Sequence, residues 1–422
     1  MIQLLHTPEG VRDYYNQECA RKQAICDRVR SVFTLYGYQE IQTPVFEYFD
    51  IFNAERGSVA SRDMYKLFDR DGETLVLRPD FTPAIARCAA KYFPEETLPV
   101  RLSYLGNTYV NNRSLRGQLK ESTQAGVELV GESSVEANAE VLALIIDVLR
   151  QLGLTRFQIE VGDVRYFDGI LQGSEISDEV RSELRDCIEN KNRFGLEELL
   201  EKHRISGEVA EVLTQLPQMF GDPEETLQQA RRLAGNNEKS LKAVDRLEAL
   251  YHCMELWGMS SYITFDLGML GNHNYYTGII FKGYTYGTGD CIVVGGRYDN
   301  LMGQFGKEAP SVGFGINIDT LMQAMARQKI DLPGRPAGIL LLYPDSRYQE
   351  AVAAAAGYRA QSIPVHMVKD EGRDEAHLYE YARENQITRI LRLGEDGSQT
   401  VTAVPGMDHE TSRRQRAMGG EQ

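Results

Sequence analysis

Apolar residues recur at three- and four-residue spacing over residues 20–36, where Ile25, Val29, Val32, Phe33 and Tyr36 share a face; the spacing predicts an amphipathic helix ended by Gly37. The segment YQEIQTPVFE that follows is extended, and its Pro44 suits a sheet edge or a subunit boundary better than a central ladder. MYKLFDRDGETLVLRP reads as two strands around an Asp-Gly turn. Asp80 and Thr82 then sit where a strand gives way to the helix of AIARCAAKYF, a junction that points short polar side chains into a cleft. Strands near 101–110 and 120–130 make a long hairpin, and VEANAEVLALIIDVLRQLG covers it with a helix whose Val141, Ile145, Val148 and Leu152 lie on one face.

From about 175 to 255 the chain is helical and highly charged, interrupted by Gly207, Gly221 and Gly235, and reads as an insertion rather than part of the sheet. Strand character returns at YITFDLGML, YYTGIIFKGY, CIVVGG and VGFGINI, the last leading into the helix DTLMQAMARQ. After Pro333 and Pro336, strands and helices alternate through ITRILRLG as a small parallel α/β unit. The expected fold class is therefore α+β: a helix-flanked antiparallel sheet over residues 1–330 with the helical insertion, an α/β domain over 337–405, and a polar, flexible tail over 406–422.

Composition narrows the setting. With 46 Lys+Arg against 61 Asp+Glu the 422-residue chain carries a net charge of -15, which opposes broad binding to nucleic acid because such binding draws on basic residues that displace phosphate counterions. No apolar run is long enough to span a membrane, and MIQLLHTPEG has no basic-then-apolar export pattern, so a cytoplasmic protein is expected. The six cysteines include no C-x-x-C pair and His273 belongs to no ligand cluster, so free thiols are expected, with no metal and no cofactor.

The common phosphate-loop, dinucleotide and serine-hydrolase signatures are absent. The informative residues are scattered over LRPDFT, the long hairpin, GNHNYYTGIIFKGY and GGRYDNL. On a strand Gln124, Gly126 and Glu128 face one side, with the glycine giving space between an amide and a carboxylate. Asp80 and Thr82 add a carboxylate and a hydroxyl, and Tyr275 and Tyr276 add phenols and flat apolar walls. This set suits a small cation with a ring; the same spacing also suits a solvated sheet face with its tyrosines packed in the core.

TPEGVRD, GYQEIQTPVFE, LRPDFT, TQAGVELVG, NYYTGIIFKGY, GGRYDNL and VGFGINIDTL occur in the order seen in histidyl-tRNA synthetases, and the chain resembles that class II family over about residues 7–330. The resemblance implies a class II catalytic fold that dimerises around Pro44, with Asp80, Thr82 and Gln124 around the α-amino group of L-histidine and Glu128 and Tyr276 at its imidazole. Glutamate and tyrosine together can satisfy both ring nitrogens.

The departures from that pattern are informative. Val110 stands where the family has the arginine that holds the ligand carboxylate and the ATP α-phosphate, Asn112 where it has a glutamate, and Asp80 where it has a longer glutamate. Gly271 and Thr320 replace two further arginines. Losing one preorganised donor costs ~10²–10³ in rate, so losing three is expected to abolish adenylate formation. Arg113 and Arg116 in the hairpin loop, or backbone N–H groups and Arg297, are the remaining candidates to meet an anionic group.

TPEGVRDYYNQECARKQ, GNTYVNN and HNYYTGIIFKGY resemble a non-catalytic branch of this family, the regulatory subunits of ATP phosphoribosyltransferase. That resemblance implies no catalytic residues. It also implies a homodimer that joins a short-form catalytic subunit in a hetero-octamer, activates it and takes part in feedback inhibition by histidine. The unit at about 337–395 is similar to a shortened anticodon-binding domain, most visibly in ITRILRLGED. An active histidine–tRNA ligase and a ligand-free dimeric scaffold are the alternatives.

Overall fold

The computed structural model describes residues 4–52, 59–93, 99–112, 119–174, 176–271, 276–330, 332 and 337–407. Two compact units are present, Met1–Arg12 with Ile25–Asp331 and Asp13–Ala24 with Leu332–Gln422. Helix α1 (Asn16–Leu35) buries Ile25, Val29, Val32 and Phe33, and Gly37 at φ +79° turns the chain. Short strands β1 (Gln39–Glu40) and β2 (Phe46–Tyr48) flank Pro44; β3 (Lys66–Phe68) and β4 (Thr74–Leu77) make the expected hairpin, with Gly72 at φ +86° in its turn. Helix α2 (Thr82–Tyr92) leads to the long hairpin β5 (Val100–Tyr109) and β6 (Glu121–Val130). The loop arginines Arg113 and Arg116 lie outside the described residues.

Helix α3 (Val135–Gln151) starts at Ser134, whose hydroxyl accepts the Ala137 N–H, and is apolar nearly all round, as befits a helix buried on most sides. Strand β7 (Phe157–Asp163) is absent from the predicted elements, although Phe157, Ile159 and Val161 alternate with polar residues; α4 (Val164–Ile170) follows it directly. The helical stretch comprises α5 (Asp178–Glu189), α6 (Arg193–Lys202), α7 (Glu208–Gln215), α8 (Pro223–Ala234) and α9 (Glu238–Leu256). It does not lie wholly outside the sheet: β8 (Phe220–Gly221), between α7 and α8, pairs with β9 (Ile263–Asp266), Gly221 having φ +131°.

Strands β10 (Ile279–Thr285), β11 (Val293–Arg297) and β12 (Ser311–Asn317) complete a nine-stranded sheet of order β1-β5-β6-β12-β11-β10-β7-β9-β8, and α10 (Ile318–Arg327) leaves β12. Its centre is antiparallel as expected, but β1–β5 and β7–β9 pair in parallel, which makes the sheet mixed. The arrangement is α+β with a second, three-stranded sheet β2-β4-β3.

In the second unit β13 (Gly338–Tyr343), α11 (Tyr348–Ala360), β14 (Val365–Lys369), α12 (Glu375–Glu384) and β15 (Ile387–Leu393) give the anticipated parallel alternation. A fourth strand, β16 (Gln399–Ala403), pairs antiparallel with β15. It is exposed at every position, so no apolar alternation marks it in the sequence. The expected tail lies outside the described residues from 408 onward.

Candidate ligand-binding site

Strands β5, β6, β12 and β11 lie side by side, and their register sets glycine opposite the long polar side chains. Gly313 pairs with Glu128, Gly315 with Gly126 and Asn317 with Gln124. A Cβ at Gly313 would come within 1.8 Å of Glu128 Oε2, and one at Gly315 within 1.9 Å of Gln124 Nε2. The bare backbone of β12 thus lets Glu128 and Gln124 lie across the sheet instead of pointing away from it. The opposite face of β6 buries Ala125, Val127 and Leu129, so the period of two separates a polar floor from the core.

A cavity of about 290 Å³ opens over this floor. The structure brings Asp80, Thr82, Gln124, Glu128 and Tyr276 to its wall. Glu128 is 1% exposed; Thr82 Oγ1 donates to its Oε1 at 2.7 Å and the Tyr298 hydroxyl donates to its Oε2. Burial pushes the Glu128 carboxyl up to about 8, against the pull of those two hydroxyls. Asp80 takes the N–H groups of Phe81 (2.6 Å) and Thr82 (3.2 Å) on Oδ1, a favourable place for a carboxylate because it faces the N-terminus of α2. Tyr104, fully buried, stacks on Phe81 with centroids 4.3 Å apart and donates to the Phe314 carbonyl.

Tyr275 lies outside the described residues. Arg297, expected among the ligand-binding residues, is not part of the cavity lining. Its Nε and Nη2 donate to Asn138 Oδ1 (3.1 and 2.7 Å), and its Nη1 donates to the Glu132 carbonyl and Asp299 Oδ1 (3.0 and 3.2 Å), tying β11 to the start of α3. Strand alternation puts the next residue, Tyr298, on the cavity side. Tyr298 and Tyr104 are the site residues missed from sequence; the period-two rule applied to GGRYDNL was the available signal for Tyr298.

A second cavity of about 470 Å³ shares Ser122, Cys291 and Asn317 with the first. Val110, Asn112 and Thr320, three positions expected from the sequence to depart from the synthetase pattern, gather on its wall. Among the described lining residues Arg327 is the one cation, and it donates to the Gly287 carbonyl, whereas Asp290 and Asp319 are acids. A phosphate placed there meets more negative charge than positive from those residues. Asn317 is committed too, its Oδ1 capping α10 through the Thr320 N–H at 2.9 Å. Gly271 lines neither cavity; its N–H donates to Glu189. No group of three His, Cys, Asp or Glu among the described residues is placed to hold a metal, and no described helix is long and apolar enough to cross a membrane.

Residues 10–321 match the family model described as histidyl-tRNA synthetase. The chain is 38% identical over 392 residues to an ATP phosphoribosyltransferase regulatory subunit of Acetivibrio thermocellus, covering 93% of each, and 42% identical over 390 residues to one of Clostridium novyi, covering 92% of this chain and 91% of the relative. A crystal structure from Bacillus halodurans, described as an ATP phosphoribosyltransferase regulatory subunit/histidyl-tRNA synthetase, superposes with TM-score 0.81 at 31% identity over 90% of this chain and 97% of that one. A histidyl-tRNA synthetase from Nostoc sp. superposes with TM-score 0.79 at 21% identity, covering 97% of this chain and 99% of that one, a likeness of fold alone. With a class II synthetase-like fold and relatives of this kind matched over nearly its whole length, the chain belongs to the ATP phosphoribosyltransferase regulatory subunits within the histidyl-tRNA synthetase family.

Proposed function

We propose that this chain is a non-catalytic regulatory subunit that binds L-histidine in the 290 Å³ cavity, activates a short-form ATP phosphoribosyltransferase catalytic subunit in a hetero-octamer, and relays feedback inhibition. The observation that carries the reading is the pairing of an intact polar ring pocket around Glu128, Thr82, Gln124 and Tyr276 with a neighbouring cavity walled by Val110, Asn112 and Thr320. A frame that keeps an amino acid site and drops the donors for a phosphate is suited to sensing its ligand rather than activating it. Exposed Val45, Phe46, Tyr48, Leu67 and Phe68 on and beside the small sheet support the homodimer.

The test mixes the full chain with a short-form catalytic subunit and follows complex size and ATP phosphoribosyltransferase activity with and without L-histidine. A larger complex with raised activity that histidine lowers is the expected result. Complex formation without any effect of histidine would favour the scaffold reading. Glu128→Ala is expected to weaken histidine binding about ten- to a hundredfold in calorimetry, the cost of a lost hydrogen bond to a charged ligand group, whereas Glu197→Ala, at an exposed position of α6, should not.

A further inference from the structure

Glu189 is the last residue of α5, the end of a helix at which a negative charge is disfavoured, and its side chain is only 8% exposed. Packing of α5 does not require a carboxylate there, since Leu184 and Ile188 already supply its buried contacts. The carboxylate is instead held by three donors: Oε2 accepts the backbone N–H groups of Leu270 (2.6 Å) and Gly271 (3.0 Å), and Oε1 accepts Lys282 Nζ (2.6 Å). Lys282 belongs to β10, in the central sheet, so one side chain joins the helical stretch to the sheet and to the segment that leaves β9.

That segment adjoins the ligand cavity. Gly271, at φ +74°, lies so close to its neighbours that a Cβ would meet Ile280 Cδ1 at 2.5 Å and the Tyr276 ring at 3.2 Å. Tyr276 packs in turn on Val164, Met269 and Ile280, and it lines the cavity together with Glu128. A shift of Leu270 and Gly271 therefore bears directly on the tyrosine wall.

We infer that Glu189 is a positioning residue of the ligand cavity, through which helix α5 sets the placement of Tyr276; the inference rests on the histidine-site reading above. It makes α5 and the helices after it the part of the molecule that feels a change at the tyrosine wall. The contact is two-sided, because whatever moves α5 must also move two backbone N–H groups next to the site.

The experiment places 3-fluorotyrosine at position 276 alone in the full chain and compares the parent, Glu189→Gln and the exposed control Glu197→Gln by fluorine NMR and calorimetry. In the ligand-free protein the resonance is expected to shift and broaden in Glu189→Gln and to match the parent in the control. The dissociation constant for L-histidine is expected to rise about 2- to 30-fold in Glu189→Gln. Its effect should be non-additive with that of Tyr276→Phe, since one acts through the other. An unchanged resonance and affinity in Glu189→Gln, even with a lower Tm, would reduce Glu189 to a fold staple and overturn the inference. No heat and no resonance change on adding histidine to the parent would sink the histidine reading, while the ligand-free comparison still decides the role of Glu189. Should Glu189→Gln fail to fold, Glu189→Asp keeps the charge, shortens the reach and serves the same comparison.

Discussion

At Glu128 a buried carboxyl sits between two hydroxyl donors, and its acid form is favoured up to about pH 8. In the unfolded chain a glutamate ionises near ~4.3, so between these values the folded state binds the extra proton. The contribution of this group to stability is therefore fully present below the unfolded pKa, falls as pH rises, and is lost above about 8. Glu128→Gln removes the titration while keeping the shape. The stability of the parent relative to this variant is expected to fall by a few kcal/mol between roughly pH 5 and 8 and then level off, as measured by urea unfolding. A constant difference across that range would show that the carboxylate is already ionised in the fold. The same residue shows what alternation can reveal: Gln124 and Glu128 were placed on one face by counting in twos, but their depth and their hydroxyl partners come from segments far away in the chain.

At the scale of elements, the site depends on how strands register. Gly313→Ala would put a methyl 1.8 Å from Glu128 Oε2 and 2.5 Å from the Val127 carbonyl, and strand backbone cannot move aside as a flexible side chain can. It is expected to lower stability by about 1–3 kcal/mol and to abolish histidine binding. Gly289→Ala, with no heavy atom within 4 Å of its Cβ, should stay within about 0.5 kcal/mol of the parent; thermal unfolding and calorimetry read both. The second cavity joins the end of the β5 hairpin to α10, so restoring one charge there does not rebuild it. Val110→Arg is expected to leave histidine-dependent pyrophosphate exchange undetectable, because Gly271 and Thr320 remain and Asp290 and Asp319 line the same wall. Strong exchange in that single variant would place the phosphate-binding charge elsewhere.

For the whole molecule, histidine can regulate a partner only if it binds one state of the assembly more tightly than another. Substitution of Tyr276, which lines a cavity rather than an outer face, should then reduce inhibition while leaving assembly with the catalytic subunit intact. Inhibition and size-exclusion profiles of Tyr276→Ala check both halves. Full inhibition in a variant shown not to bind histidine would put the feedback site on the catalytic subunit and leave this chain as activator and scaffold.

Local pattern was enough for most elements of this chain, because helices and strands write their periods directly into neighbouring residues: α1, α3, the β5–β6 hairpin and the β13–β15 alternation all follow from spacing. Motif order was enough for the family, and the residues it singled out, Asp80, Thr82, Gln124, Glu128 and Tyr276, line one cavity. Other features were decided only by tertiary structure. Strand β16 has no buried face, β8 is two residues long and β1 pairs in parallel across the chain, so none carries a local signature. Arg297 and Tyr298 are adjacent in sequence, yet one ties a strand to α3 and the other meets Glu128. The Glu189 contact spans 81 and 82 residues to Leu270 and Gly271, and no spacing rule reaches that far: charge, burial and backbone donors come together there only once the sheet has formed.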